Sequence, residues 1–453
     1  MKQRTIFLLV AALLSGTFTL SAQWEYPFEY EAPAPAAEAL GDAANTSREL
    51  LLPHRATTPY PTREAFVAGA PSEMVIELGG WQVESLDGHR TRYTTRFKRN
   101  YRYDDRELVL RIEGADGAVS VEVNDSEVGY AASAAGRTEF DLTKSLRENN
   151  NTISITVHSD YAARAIEAGR SSKGEFQRAR LVVSPRVAVY DFVTTTTFNA
   201  AGDGLLNLGV VMQSFLLNSK EYHIHYELHS PEGEVLASDS KKLTTRMLSR
   251  DTVSFFARVP KVKKWSPEEP NLYRVVVYTK HETRVKECVS VEFGFRTAEL
   301  KDKGLWLNGQ RVDLKPTEVS WSENEENTAR LLREAKERGF NLVAPRYPQP
   351  DEYYTLCDQL GLMVCDQTDI DCSGATPKNS PSNTPAWKEA YKERALQMYH
   401  SSKGHPSVVM FSLARNAQNG ICLYESYLSM KALGGELRPM VYPEAAGQWN
   451  TDL

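Results

Sequence analysis

The chain has 453 residues, of which 41% are hydrophobic and 25% charged, and a formal net charge of −6. Those proportions belong to a soluble globular protein, and the length exceeds one ordinary core, so roughly three domains are expected. The mild negative charge argues against nucleic acid or an anionic membrane as principal partner, because both need a basic face.

In chain order, Lys2 and Arg4 precede an apolar run over 6–14, and Leu20-Ser21-Ala22 offers a small residue for cleavage before Gln23. That is the pattern of a signal peptide over 1–22, too short to anchor, and it predicts export to the periplasm, cell surface or exterior. No later apolar run reaches the length of about 20 residues that a membrane span needs. Residues 23–75 lack a sustained period, and Pro33, Pro35, Pro53, Pro59 and Pro61 suit an extended arm.

From 76 to 186 short β-runs recur, at 107–112, 118–123 and 151–157, with a turn at Asn124-Asp125-Ser126. Short strands with turn signals predict a β-sandwich. A second set fills 187–297, including runs at 222–228 and 273–278. There His223 and His225 share one face at strand spacing, which reads as a solvated strand face in preference to a metal pair.

Beyond 297 the period changes. Apolar strands at 311–315, 341–344, 362–366, 407–413 and 439–442 alternate with helices near 325–338, 350–360, 386–401 and 421–434. That alternation predicts parallel β/α units, five strands against the eight of a closed barrel. Of the five cysteines, Cys288 stands alone, and Cys357, Cys365, Cys372 and Cys422 show no zinc-ligand spacing. Cys357 and Cys365 read as buried thiols, and the odd count leaves at least one thiol free.

Several segments carry a closer resemblance. They are Pro53-His54-Arg55-Ala56-Thr57-Thr58-Pro59-Tyr60-Pro61, the turn Asn124-Asp125-Ser126-Glu127-Val128-Gly129-Tyr130 with Thr138-Glu139-Phe140-Asp141-Leu142-Thr143, and the corner Trp265-Ser266-Pro267 to Leu272-Tyr273. To these add Tyr354-Thr355-Leu356-Cys357-Asp358-Gln359-Leu360-Gly361-Leu362, and His405-Pro406-Ser407 with its apolar strand ending in Ala414-Arg415-Asn416. Together they closely resemble glycoside hydrolase family 2, the β-galactosidase family, from about Asn45 to Leu453. The resemblance implies a jelly-roll, sugar-binding-like domain over 76–186 and an immunoglobulin-like β-sandwich over 187–297. It places an incomplete TIM-like (β/α) barrel over 298–453.

A retaining glycosidase needs two carboxylates about 5 Å apart. In the family's pattern the His-Pro-Ser strand ends in Asn-Glu, whose Glu is the general acid/base; here Asn416 holds that place. An amide has no proton to exchange near neutral pH. The family's nucleophile belongs to a seventh strand, beyond the five found. Ser320 stands where the pattern has a mouth histidine, Ala344 where it has an arginine, and Arg346 where it has another histidine. The pattern's magnesium ligands are matched by Asp371, Ser373 and Asn416, so the family's magnesium site is expected to be lost and no cofactor is expected.

No catalytic residue is assigned, and Asp366, Asp369 and Asp371 are the candidate substrate-binding residues at the end of the third strand. Glu318 and Glu425 fit solvated acids, and Trp306, Trp321, Tyr347 and Trp449 fit packing better than sugar platforms. The expectation is an exported, catalytically inactive family 2-like protein serving as a binding or structural component, with carbohydrate left open as a ligand. The alternative is an active β-galactosidase-like O-glycosyl hydrolase whose missing barrel half comes from another chain. An open half-barrel would leave sheet faces and an edge uncovered. A protein partner or self-association over 439–442 is therefore expected.

Overall fold

The computed structural model describes residues 46–452 apart from 161, 170, 303, 377–378, 434–437 and 443–450. The expected signal peptide, the start of the arm and Trp449 lie outside the described residues. Residues 46–61 form the extended arm, tied down by bridges of Arg48 to Tyr130, Leu50 to Phe140 and Tyr60 to Cys288. A short helix, α1 (Arg63–Val67), follows, with Thr62 capping its first turn.

The first domain runs β1 (Val75–Glu77), β2 (Gln82–Ser85), β3 (Arg90–Lys98), β4 (Arg106–Glu113), β5 (Ala118–Val123), β6 (Ser126–Ala131), β7 (Arg137–Asp141), β8 (Asn150–His158) and β9 (Arg178–Pro185). Two antiparallel sheets, β1-β9-β4-β7 and β2-β3-β8-β5-β6, enclose a core that includes Leu110, Val121, Phe140 and Ile155. The turn between β5 and β6 places Asn124 and Asp125 at φ 51° and 64°. Two successive left-handed residues match the twist of a tight hairpin, and Asn and Asp tolerate that conformation.

The second sandwich holds β10 (Val187–Phe198), β11 (Gly204–Ser214), β12 (Glu221–His229), β13 (Val235–Thr244), β14 (Arg250–Val259), β15 (Tyr273–His281) and β16 (Arg284–Phe293). Its sheets are β10-β11-β14 and β13-β12-β15-β16, and Val210, Tyr226, Phe255 and Val277 belong to the core between them. The alternating burial along β11 and β14 is the period-2 signature of a sandwich. On β12 the rings of His223 and His225 lie 6.4 Å apart, and His225 stacks on Tyr278. Among the described residues no group of three His, Cys, Asp or Glu side chains is placed to hold a metal ion.

The third region opens with an antiparallel unit, β17 (Ala298–Lys301), β18 (Gly304–Leu307) and β19 (Gln310–Arg311). Five parallel strands follow in sequence order: β20 (Pro316–Thr317), β21 (Leu342–Val343), β22 (Met363–Gln367), β23 (Val408–Ser412) and β24 (Met440–Val441). Between them run α2 (Glu325–Glu337), α3 (Asp351–Leu360), α4 (Lys388–Ser402) and α5 (Ile421–Lys431). Asn324 caps α2, and Glu325 and Glu326 complement its N-terminal dipole. Helix α3 ends at Gly361, φ 66°, where a Cβ would stand 2.4 Å from the Pro267 carbonyl oxygen. Both the left-handed cap and that close approach demand glycine.

One expectation is corrected here. The first parallel strand lies at Pro316–Thr317, while Gln310–Arg311 pairs back on β18. On the inner sheet face, Leu342, Met363, Cys365, Val409, Met410 and Val441 pack in one cluster with Trp265, Ala298, Leu305 and Leu307. At the β24 edge, Met440 donates its N–H to Asp452 and accepts from the Asp452 N–H, each at 2.8 Å. All five cysteines are free and buried. No helix among the described residues is long and apolar enough to cross a membrane.

Candidate functional site

In parallel β/α units, side chains that do chemistry gather where the strands end at their carboxyl side. Here the pairing of β22 with β23 continues past both strands, as a parallel bridge between Asp371 and Arg415. Arg415 N–H donates to the Ile370 carbonyl at 2.9 Å, and Cys372 N–H to the Arg415 carbonyl at 3.2 Å. This extension sets Asp371 beside Asn416.

Asp371 is buried, and its carboxylate is fully engaged. One oxygen accepts from Asn416 Nδ2 at 3.0 Å, Ser373 Oγ at 2.7 Å and Ser373 N–H at 3.1 Å. The other accepts from the Tyr347 hydroxyl at 3.0 Å. Asn416 Nδ2 also lies 3.0 Å from Ser373 Oγ, and Asn416 adopts φ 50°. A carboxylate only accepts, so the amide must turn its NH₂ toward Asp371. Asp371, Ser373 and Asn416 thus close into a hydrogen-bonded triangle.

The magnesium that the family's pattern implies finds one carboxylate, one hydroxyl and one amide at this place. The carboxylate already accepts four hydrogen bonds, and the amide presents hydrogens to it. Magnesium demands oxygen ligands in near-octahedral array, so these residues do not fit the ion.

Two loops of the first domain reach into the mouth. Asp371 N–H donates to the Ile166 carbonyl at 2.8 Å, and Gly169 N–H to the Asp371 carbonyl at 3.2 Å. A Cβ on Gly169 would stand 2.2 Å from the Asp371 carboxylate. Ser133 Oγ donates to Asp369 at 2.6 Å, and Arg394 on α4 donates to the Ala132 carbonyl at 3.0 Å and to buried Glu167. Opposite, Glu318 accepts from Arg346 at 2.7 Å and Arg415 at 3.3 Å in a partly exposed ion cluster. Ser320, in the position of one replaced histidine, accepts the Arg346 N–H at 2.9 Å.

The three candidate acids divide. Asp371 belongs to the mouth triangle. Asp369 is buried against the Ser133 loop. Asp366 departs from the expectation: its side chain turns into the layer between sheet and helices, fully buried. There it accepts from Tyr354 at 2.8 Å and Ser402 at 2.6 Å. Burial pushes its carboxyl up to about 7. Glu425 pairs with Lys388 across α4 and α5. Trp306 donates its ring N–H to the Lys301 carbonyl, and Trp321 packs against the helix–sheet core. Tyr347, read from sequence as a packing residue, is buried and also donates its hydroxyl to Asp371. The contributions of Ser133, Ile166 and Glu167 were missed, for no local motif marks them.

Comparison with known proteins places each region. Residues 66–192 match the family model described as glycosyl hydrolase 2 galactose-binding domain-like. Residues 187–296 match glycosyl hydrolases family 2, and 323–451 match its TIM barrel domain. A β-galactosidase of Photobacterium profundum is 30% identical over 333 residues, covering 70% of this chain and 32% of that protein. One from Priestia megaterium is 27% identical over 360 residues, covering 75% of this chain and 35% of that one. The chain therefore spans about a third of the length of the curated relatives it matches. Among solved structures, a putative β-galactosidase from Bacteroides fragilis aligns with TM-score 0.68 at 15% identity, over 90% of this chain and 66% of that one. A Bacteroides uniformis β-glucuronidase aligns with TM-score 0.64 at 19% identity, over 77% and 44% of the two chains. Three consecutive domain models of one family, in the family's order, establish that the chain belongs to glycoside hydrolase family 2.

Proposed function

We propose that this chain is a catalytically silent member of the family, exported and serving as a binding or structural component. One observation carries the reading: the acid/base position holds Asn416, whose amide is spent on Asp371 and Ser373. General acid catalysis requires a group that releases and recovers a proton near the working pH, and an amide does neither. The same triangle takes the place of a metal site, so the proposal includes no magnesium. Asp371, the carboxylate nearest in kind to a replacement, is held by four donors and covered by Gly169. A carboxylate so enclosed has no open path to a glycosidic bond.

The test is hydrolysis of a panel of aryl β-galactosides, β-glucuronides and β-glucosides by the full chain, beside Asp371→Ala. The expected result is no turnover above buffer in either protein. Turnover that Asp371→Ala abolishes would overturn the reading and make Asp371 a reacting group. A glycan array on the same protein separates a carbohydrate-binding role from a purely structural one.

A further inference from the structure

We propose that Glu287 is a proton-gated latch on the seam where the arm, the jelly roll and the immunoglobulin-like sandwich meet, closed while its carboxyl is neutral and loosened when it ionises. Glu287 lies on β16, is 1% exposed, and accepts the Val189 N–H at 2.8 Å. Val189 sits where the register of β10 against β11 slips before Asp191. The next residue on β16, Cys288, exchanges backbone hydrogen bonds of 2.8 Å in both directions with Tyr60 of the arm. The carboxyl thus holds the start of the second sandwich, while the backbone of the next residue on the same strand holds the arm. A cavity of about 60 Å³ adjoins it, lined by His54 and Pro59 of the arm, Val109 and Val182 of the jelly roll, and Gln213 and Phe215 of β11. That is room enough for water to enter.

Most charges around the seam are paired with other groups. From the arm, His54 pairs with Glu139 at 2.6 Å; from β4, Arg111 pairs with the same Glu139 at 2.6 Å. Glu107 pairs with Arg186 at 3.1 Å, and Asp191 with Lys403 at 2.5 Å. Arg106 donates to the Lys286 carbonyl at 3.4 Å, while Tyr190 carries a neutral hydroxyl bonded to the Leu52 carbonyl. No ion pair among the described residues reaches Glu287. Burial raises its carboxyl to about 8, against the smaller opposing effects of the Val189 N–H and the Arg106 charge. An acid whose folded value lies above its unfolded value holds its proton better in the closed state. Closure therefore weakens as pH rises from about 4.5 to about 8 and levels off beyond.

The experiment is backbone amide exchange on the full chain at pH 6.5 and 9.0, corrected for intrinsic exchange, read at Val189, Tyr60 and Cys288. If opening exposes Glu287, its equilibrium constant rises roughly 30-fold over that interval. Glu287→Gln keeps the acceptor for the Val189 N–H and removes the titration, so its profile should stay flat. An equal rise in Glu287→Gln would refute the latch. The wild-type profile decides even if the variant does not fold. No rise at the three amides, or an equal rise throughout β14, also refutes it.

Discussion

Asn416 donates its side-chain amide to Asp371 at 3.0 Å, across the extension of the two central strands, in the place where the family's pattern has a glutamate. Restoring that glutamate sets two carboxylates against one hydroxyl, and like charges so close resist joint ionisation. Asn416→Glu should lose about 1 kcal/mol at any pH, because Asn tolerates φ 50° better than Glu. The folded variant also retains a proton that the unfolded chain releases near pH 4.3, so stability falls further as pH rises. Denaturant unfolding should show an additional loss of about 1–2 kcal/mol at pH 8 relative to pH 4.5. A pH-independent loss would mean that the carboxylates do not meet. On the proposed reading the variant should not hydrolyse aryl glycosides, since both carboxylates would be held within the same mouth cluster.

Gly169 is fixed by what stands over it. Its hypothetical Cβ falls 2.2 Å from a carboxylate that four donors hold in place. Gly169→Ala should push the 162–169 loop off the mouth, weakening the bonds between Gly169, Ile166 and the Asp371 backbone. A cost of about 1–3 kcal/mol is expected from strain and lost hydrogen bonds. Faster amide exchange at Asp371 and Gly169, with β12 unchanged, would be its signature. A variant as stable and as protected as wild type would show that the loop adapts freely.

How legible this was follows from sequence distance. The helices came through within a few residues because local signals mark them: Asn324 and its glutamates start α2, and Gly361 ends α3. The parallel strand at 316–317 was misplaced because the apolar run at 311–315 has strand character, yet its start pairs back on β18 and its Val312 and Leu314 pack under the sheet. At the mouth, Asn416, Ser373 and Asp371 were found because the strand motifs around them fix their positions. Their closing into a triangle depends on the parallel extension of β22 and β23, which no local motif marks. Ser133 and Glu167 were invisible for a stronger reason: their partners Asp369 and Arg394 lie 236 and 227 residues away. Asp366 was misjudged because alternation along β22 was not followed to its end, where it turns the side chain to the helix layer.

His405 gives the His-Pro-Ser motif a structural role. Its Nδ1 lies 2.6 Å from Asp358 and its Nε2 3.3 Å from Asp351, while Asp358 also accepts the Ser407 N–H at 2.9 Å. Asp358 and Asp351 hold the imidazolium up to about 9 against the opposing effect of burial. A histidine raised on folding gives stability that is complete below its unfolded value, about 6.5, and is lost as pH climbs through 9. His405→Gln should therefore cost about 3 kcal/mol at pH 6 and clearly less at pH 10. A cost independent of pH would mean that the ring is neutral in the fold.

Trp265 joins the second sandwich to the half-barrel. It is fully buried, donates its indole N–H to the Asp358 carbonyl at 2.9 Å, and lies against the inner sheet face with Leu305 and Leu307. Its carbonyl accepts from Asn308, so the antiparallel unit is aligned on the same residue. Gly294 allows the approach, since a Cβ there would stand 2.6 Å from Trp265 Cβ. Two substitutions separate its roles. Trp265→Phe keeps most of the apolar surface and orphans the Asp358 carbonyl, at about 1–2 kcal/mol. Trp265→Ala also leaves a cavity, at about 3–5 kcal/mol. If the inner face depends on this internal cover, Trp265→Ala should expose it and bind a hydrophobic dye, while the jelly-roll amides of β5 and β8 stay protected. Loss of protection in all three regions together would instead make the chain one cooperative unit, with Trp265 a core residue like any other.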